Sequence, residues 1–178
     1  SMFFKDRFRI GQRLIFASVA THNHFVYSTG HNLFNRHAPL VILPADATGD
    51  EHLEILGLLN SSTACFWMKQ TFHNKGSTVD QHGARQRTEP FEDFYEFTGT
   101  GLQRFPIPKE KPLALGSELH RLAEKYAALL PEQIVEQASP TAAILHEAQA
   151  KAATIRGNMI PLQEELDWEC YRLYGLLD

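Results

Sequence analysis

The first third of the chain alternates short apolar runs with turn-forming residues. The runs at 12–20, 24–28 and 40–43 are rich in β-branched and aromatic side chains, which favour the half-buried surface of a pleated sheet. The segment 30–39 separates the second run from the third, and Pro44 ends the third. The pattern therefore predicts the strands of a small sheet.

The middle of the chain begins with helical spacing. Asp50 is a suitable N-cap, and the pattern continues to Lys69. The periodic positions are Leu53, Leu56, Leu59, Thr63 and Phe66. Residues 70–88 lack periodicity and predict a polar loop. The aromatic residues of 91–97 predict a short helix or turn, and 102–107, which ends at prolines, predicts another short strand.

After Pro112 the apolar positions change to a helical seam. The first set steps by four and three, as in a heptad pattern: Leu115, Leu119, Leu122, Tyr126 and Leu129. Pro131 interrupts or kinks that helix. A second set ends at Gly157 and consists of Leu145, Ala148, Ala152 and Ile155. A third stripe consists of Leu162, Leu166, Cys170, Leu173 and Leu177. This part predicts two or three antiparallel helices.

Together these elements predict an α+β fold. We expect a small mixed α/β domain with a short β-sheet at 1–108, followed by an antiparallel, coiled-coil-like helical spacer at 109–178. With 178 residues and 43% hydrophobic residues, the chain can form one ordinary core.

Charge differs between the two halves of the chain. The net charge of -4 argues against a strongly basic nucleic-acid binder. Residues 1–90, however, contain 9 Lys and Arg against 7 Asp and Glu, whereas 91–178 contain 8 against 14. Seven of the nine histidines also lie in 1–90. We therefore expect the two halves to perform different tasks.

The cysteines and the ends of the chain bear on the cellular compartment and on the extent of the natural protein. Cys65 and Cys170 each lie within an apolar helical pattern, which predicts two buried free thiols in a reducing cytoplasm. No apolar run approaches the roughly 18 residues of a membrane span, and no signal-peptide pattern opens the chain. Ser1-Met2 is typical of a tag remnant, so we expect the natural protein to extend further upstream.

Two histidines near the second strand raise the question of a metal site. His22 and His24 share one face if they lie on a strand, and His31 and His37 are close in sequence. No cysteine or aspartate accompanies them at ligand spacing, although a hydrolytic metal site usually includes a carboxylate. Three interpretations stay open: a metal site, a polar strand end that faces DNA, and structural hydrogen bonding.

The loop 71–88 has the composition of a nucleic-acid contact. Its basic and amide side chains surround two glycines, and these residue types pair with base edges and phosphates. The candidates are His73, Asn74, Lys75, Ser77, Thr78, Gln81, Arg85, Gln86 and Arg87. A long loop without secondary structure is usually functional or disordered. The alternative is an ordinary mobile surface loop.

Several short stretches together resemble one kind of protein. They are Thr21-His22-Asn23-His24-Phe25, Phe34-Asn35-Arg36, Leu56-Gly57-Leu58-Leu59-Asn60-Ser61-Ser62, Phe66-Trp67, His73-Asn74-Lys75-Gly76, Phe94-Tyr95-Glu96-Phe97-Thr98-Gly99-Thr100, Phe105-Pro106-Ile107-Pro108 and the ending from Glu165 to Leu176. This combination resembles the C-terminal region of adenine-specific DNA methyltransferases of phage-exclusion systems (BREX, PglX-type). It also resembles the related type IIG-like restriction–modification enzymes. The likeness extends over nearly the whole chain.

The resemblance implies a target recognition domain followed by spacer helices. In the family, the full enzyme binds S-adenosylmethionine and methylates the N6 atom of adenine. This chain lacks the Asn/Asp-Pro-Pro-Tyr/Phe stretch and the glycine-rich turn of the catalytic domain. A P-loop is absent too, because the letters at 75–78 are in the wrong order. We therefore expect a chain that is not catalytic alone.

The resemblance also implies the partners of the chain. We expect double-stranded DNA, the catalytic domain of the same parent and other subunits of a defence system. The loop 71–88 is the main candidate for reading bases, and the second candidates are His22, Asn23, His24, Asn35 and Arg36. Two other functions stay open: a protein-interaction module that uses the heptad helices, and a metal-dependent enzyme built on the histidines.

Overall fold

The computed structural model describes residues 11–30, 34–75, 94–137 and 139–177. These residues form two small antiparallel sheets and six helices, so the predicted α+β fold is confirmed. In chain order the strands are β1 (Arg13–Phe16), β2 (Val19–Ala20), β3 (Phe25–Ser28), β4 (Leu40–Val41) and β5 (Tyr95–Glu96). The helices are α1 (Gly49–Leu59), α2 (Ser62–Thr71), α3 (Gly99–Leu102), α4 (Leu113–Ala127), α5 (Pro131–Gln137) and α6 (Ala142–Leu173).

The larger sheet has the order β3-β1-β4, with β1 in the centre. Strand β1 pairs along its whole length with β3, from Arg13 opposite Ser28 to Phe16 opposite Phe25. Strand β4 adds a short pairing on the other side of β1. The second sheet joins β2 to β5, which are far apart in sequence. The apolar runs thus form strands where β-branched and aromatic residues predict them.

The helix predicted from Asp50 to Lys69 is two helices. Thr48, and not Asp50, caps α1: its hydroxyl accepts from the Glu51 N–H at 3.2 Å, and the Glu51 carboxylate accepts from the Thr48 N–H at 2.7 Å. This reciprocal arrangement is a capping box. Helix α1 then stops at Asn60, and the Ser61 hydroxyl caps α2 by accepting from the Ala64 N–H.

A long-range pairing interrupts the helix at Asn60. The side chain of Asn60 accepts from the Phe25 N–H and donates to the Phe25 carbonyl, both at 2.9 Å. Asn60 therefore forms with Phe25, the first residue of β3, the two hydrogen bonds that a neighbouring strand would form. The periodic pattern runs across the break because Leu59 and Ala64, on either side of it, are both buried. The interruption fixes α1 and α2 against the sheet.

Two other local predictions were wrong. The aromatic stretch near 91–97 contains β5, because its backbone pairs with β2 and with residues near His73. The strand predicted at 102–107 is absent: α3 ends at Leu102, and 103–107 continue without regular structure. Phe105 is buried in that segment, and the Tyr174 hydroxyl donates to the Pro106 carbonyl at 2.7 Å.

Helix α6 is continuous through both Gly157 and Pro161. The sequence pattern predicts a boundary at Gly157, so this expectation was wrong. Pro161 has no N–H to donate to the Gly157 carbonyl, which costs the helix one hydrogen bond. Burial of Leu166 and Cys170 beyond this point holds the helix in place despite that loss. Burial also raises the pKa of the Cys170 thiol to about 11. Cys65 is only half-buried, against expectation.

One core joins the two predicted domains. Leu14, Phe16 and Phe25 of the sheet, the buried faces of α1 and α2, and Leu166 and Cys170 of α6 belong to the same cluster. Helices α1 and α4 also approach closely, since a Cβ atom at Gly116 would lie 2.6 Å from the Leu53 carbonyl oxygen. Side chains from both sides of residue 108 therefore pack against each other.

The helices after Pro112 are antiparallel, as predicted. The first half of α4, at Gly116 and His120, borders the same groove as Met159 and Gln163 of α6. Its last residues border Lys151 and Ile155 instead. Helix α6 thus runs back along α4 and ends over the sheet and α2.

Candidate nucleic-acid interface

Four segments that are distant in sequence meet at the start of β2. The Ser18 N–H donates to the His37 carbonyl at 3.0 Å, and the Phe97 N–H donates to the Ser18 carbonyl at 2.7 Å. The Glu96 N–H donates to the His73 carbonyl at 3.0 Å. Residues 18–24, 35–37, 73–75 and 94–97 are therefore joined by backbone hydrogen bonds. We call these four segments the polar junction.

The first three candidates of the loop 71–88 belong to this junction. Helix α2 ends at Thr71, and Asn74 then forms a bridge with Tyr95. The Lys75 N–H donates to the Phe94 carbonyl at 2.6 Å, so the chain leaves the junction and returns to it at adjacent positions. The Lys75 ammonium forms an ion pair with Glu96 at 2.7 Å, and both side chains are about half-exposed.

The other loop candidates lie outside the described residues. These are Ser77, Thr78, Gln81, Arg85, Gln86 and Arg87. Because residues 75 and 94 are hydrogen-bonded to each other, the stretch between them begins and ends at the polar junction. Their role in DNA contact stays a prediction.

His22 and His24 are exposed and lie together. Their ring centroids are 4.2 Å apart, and the Thr21 hydroxyl is 2.7 Å from His22 Nδ1. Partial burial lowers the pKa of His22, and the nearby His24 and Lys69 lower it further, because positive charges disfavour protonation. The expected shared face is therefore present. Among the described residues, no group of three His, Cys, Asp or Glu side chains could hold a metal ion.

Asn23, between these histidines, has a different environment. Its side chain is buried and donates to the Leu59 carbonyl at 2.6 Å and to the Ser61 carbonyl at 3.2 Å. These carbonyls lie at the break between α1 and α2, so Asn23 ties the strand end to that break. In this arrangement its amide group cannot reach a base edge.

Asn35 and Arg36 lie in an exposed turn beside Ser18. The Asn35 side-chain oxygen accepts from the His37 N–H at 2.9 Å, which closes a local turn. The Arg36 Nε donates to His37 Nε2 at 3.3 Å, so the guanidinium is held at the surface. The Arg36 guanidinium and the Lys75 ammonium thus lie on segments of the same junction.

Lys69 is a site residue that the sequence analysis missed. It lies in the last turn of α2, where its ammonium is 5.7 Å from the centroid of the Tyr95 ring. The ring belongs to β5, and Lys69 also affects the pKa of His22. A lysine in the last turn of a helix ordinarily interacts with the helix dipole, so this position alone does not indicate a binding site. The proximity of Lys69 to His22 depends on contacts that are distant in sequence.

A groove of about 640 Å³ lies next to the histidines, between the sheet and the helices α4 and α6. It is lined mostly by apolar side chains. Its polar lining includes Asp167, whose carboxylate accepts from the Ser62 N–H at 2.7 Å and from the Gln163 amide at 3.3 Å. His120, also in the groove, lies 3.5 Å from Glu124. The groove separates the polar junction from the helices α4 and α6.

The sheets of the described residues differ from the parallel sheets that bind many nucleotide-like cofactors. Sites for such nucleotide-like cofactors in α/β folds use a glycine-rich turn between a parallel strand and a helix. Every strand pairing among the described residues is antiparallel. Among the same residues, no helix combines the length and the apolar character needed to cross a membrane.

Comparison with known proteins gives one informative similarity. No protein-family model and no solved structure matches the chain. The adenine-specific methyltransferase PglX of Streptomyces coelicolor is 49% identical to it over 164 residues. The alignment covers 92% of this chain and 14% of that relative. The expected resemblance to PglX-type adenine-specific methyltransferases is thus confirmed: nearly the whole chain is related to one segment of a much longer protein of this type.

Proposed function

We propose that this chain is the DNA target recognition segment of an adenine-N6 DNA methyltransferase that acts in phage defence or restriction–modification. The observation that carries the proposal is the 49% identity to a segment of PglX. The second support is the polar junction, which brings together three of the segments that the sequence analysis selected for DNA contact.

The arrangement of the polar junction suits a nucleic-acid surface. Its segments carry Arg36, Lys75, His22 and His24 at exposed or half-exposed positions. Cationic side chains of this kind bind phosphates and set the register of the protein on the duplex. Base reading then falls mainly to the loop 71–88, whose amide and arginine side chains suit adenine and guanine edges. Asn23 is left out of the contact set because its amide holds the protein backbone.

The chemistry belongs to the remainder of the parent enzyme. S-adenosylmethionine would supply the methyl group there, and the target adenine would leave the base stack to reach it. This chain would contribute affinity, register and sequence preference. The helices α4 and α6 would hold the junction rigidly and contact the catalytic domain, since α4 has no net charge, α6 has more acidic than basic residues, and neither therefore attracts the DNA backbone.

The test uses the full-length methyltransferase that carries this segment. Lys75→Ala and Arg85→Ala each remove one candidate contact, and Lys151→Ala is the matched control because Lys151 is paired with Glu147 on α6. We expect the first two variants to weaken binding to a duplex by about tenfold, as for the loss of roughly 1–3 kcal/mol per contact. Sequencing of methylated adenines then shows whether the recognised site changes. Unchanged affinity and unchanged sites in both variants would contradict the loop assignment.

A second function is favoured by the outer surface of α6. Ile160 and Trp168 are each 56% exposed, and Leu176, just beyond the helix, is 61% exposed. Exposed apolar side chains of this size are typical of protein contacts. In this alternative the chain is an interaction module for another subunit, and the loop is inert. Trp168→Ala in the full-length protein would then abolish co-purification of that subunit and leave DNA affinity unchanged.

A further inference from the structure

Three groups that hold or can accept a positive charge lie together at one end of the polar junction. They are His22 and His24 after β2, and Lys69 at the end of α2. The two imidazole rings are 4.2 Å apart, and Lys69 is close enough to His22 to disfavour its protonation. None of the three forms an ion pair with a carboxylate in the part of the chain that the structure describes. We call them the cationic cluster.

The surroundings of the cluster show why it lacks a counter-charge. On α6, the Asp167 carboxylate lines the same groove but is engaged by the Ser62 N–H and by Gln163. On α4, the Glu124 carboxylate lies 3.5 Å from His120 Nε2. On β5, Tyr95 presents its ring to Lys69, and Glu96 is paired with Lys75. Glu124 and Glu96 each have a basic partner, and Asp167 accepts two hydrogen bonds within the protein.

From this juxtaposition we infer that His22, His24 and Lys69 form a binding site for one phosphate group of the DNA backbone, and that binding is coupled to protonation of the imidazoles. The inference rests on the proposed function and specifies one of its contacts. A phosphodiester brings the negative charge that the cluster lacks. Lys69 supplies a permanent charge, and the histidines supply donors whose charge depends on pH.

The direction in which pH changes DNA affinity follows from the linkage between phosphate binding and protonation of the imidazoles. In the free protein, burial, His24 and Lys69 lower the pKa of His22, which disfavours its protonated form. A bound phosphate favours the protonated form and raises that pKa. Binding is therefore strongest below the free-state pKa and weakens as pH rises through the bound-state pKa. We expect the affinity for duplex DNA to increase about fivefold between pH 7.5 and pH 6, since one linked proton gives at most about tenfold per pH unit.

The first test measures duplex affinity of the full-length enzyme by fluorescence anisotropy across this pH range at constant ionic strength. The double variant His22→Gln/His24→Gln keeps hydrogen-bonding groups but cannot titrate, and His146→Gln on the exposed surface of α6 is the matched control. The pH dependence should disappear in the double variant and persist in the control. If the double variant keeps the wild-type pH dependence, the inference is overturned while the proposed function stands. If no variant and no pH gives DNA binding, the proposed function fails as well.

The second test identifies the source of the phosphate. NMR titration of the His22 and His24 ring protons in the 178-residue chain is repeated with a short duplex and with inorganic phosphate at the same phosphate concentration. We expect the duplex to raise the pKa of His22, and inorganic phosphate to raise it less. An equal shift with inorganic phosphate would assign the cluster to free phosphate and overturn the DNA contact. Absence of a shift with either probe would also overturn it.

Discussion

The polar junction and the C-terminal helices differ in the partners of their charged side chains. On α4 and α6 most of the ion pairs form within one helix turn: Arg121 with Glu118, Lys151 with Glu147, Arg172 with Glu169 and His120 with Glu124. At the junction, the cationic cluster has no such partner among the described residues, and only Lys75 is neutralised, by Glu96. The paired charges of the helices are balanced locally, whereas the cationic cluster has no carboxylate partner in the part of the chain that the structure describes.

The two regions nevertheless depend on the same core. Leu166 and Cys170 of α6 are completely buried among side chains from the sheet and from α1 and α2. The hydroxyl of Ser62 on α2 also lies 2.8 Å from that of Tyr171 on α6. The two regions therefore share buried side chains, and they differ in surface chemistry. Four predictions test the common core and the surface charges separately, and they are given in order of decreasing effect.

Leu166→Ala tests whether α6 belongs to the common core. The side chain is completely buried, so its truncation should leave a cavity and lower the free energy of unfolding by about 2–5 kcal/mol. Chemical denaturation followed by circular dichroism measures the change. Leu177→Ala is the control, because Leu177 is 44% exposed and its loss should cost far less. Equal small effects in both variants would mean that α6 is a detachable appendage.

Gly116→Ala tests the close approach of α4 to α1. The new Cβ atom would lie 2.6 Å from the Leu53 carbonyl oxygen, which belongs to the backbone and cannot rotate away. We expect destabilisation of about 1–3 kcal/mol from the forced separation of the helices. Gly157→Ala on α6 has no atom within 4 Å and should instead stabilise the helix by roughly 0.5–1 kcal/mol. Thermal unfolding of both variants measures these changes in stability. If both variants change stability in the same direction, the close contact between α4 and α1 is refuted.

Asn23→Ala distinguishes a structural residue from a DNA contact within the junction. Its buried amide donates to two carbonyls at the break between α1 and α2. Removing it should cost about 1–3 kcal/mol of stability, because buried carbonyls lose their donor. Asn35→Ala, at an exposed turn, should cost less than about 1 kcal/mol. A stable Asn23→Ala protein with lost DNA binding would reverse this assignment.

Lys69→Gln tests the charge of the junction with the smallest effect on the fold. We expect duplex affinity to fall about threefold to tenfold, and the slope of log affinity against log salt to decrease by about one. Lys125→Gln on α4 is the matched control, since Lys125 is exposed and lies outside the polar junction. Both variants should keep wild-type stability to within about 0.5 kcal/mol. Equal salt slopes for Lys69→Gln and the wild type would remove Lys69 from the contact.

The sequence predicts the elements of this fold where local signals decide, and fails where distant contacts do. The apolar runs before Pro44 form strands because their β-branched and aromatic residues suit a sheet locally. The break at Asn60 depends on the backbone of Phe25, 35 residues earlier, and no local pattern reveals it. Thr48 and Glu51, in contrast, form a recognisable capping box that explains why α1 begins before Asp50.

In the candidate site, too, local sequence signals select some features and distant contacts decide others. The composition of the loop and the paired histidines select segments that the structure joins at Ser18 and Tyr95. Sequence spacing cannot show that Asn23 is buried while its neighbours are exposed, because the Leu59 carbonyl that it binds is 36 positions away. Lys69 was missed for the same reason, since the Tyr95 ring that it contacts lies on a distant strand.

Photo-crosslinking of the full-length methyltransferase to a duplex containing 5-bromouracil tests the central claim most directly, because it reports which region faces DNA. The crosslinked peptides are identified by mass spectrometry after digestion. The account predicts crosslinks within 18–37 and 69–97 of this chain, and none within α4 or α6. Crosslinks that lie on α4 or α6, with the polar junction unmodified, would contradict it.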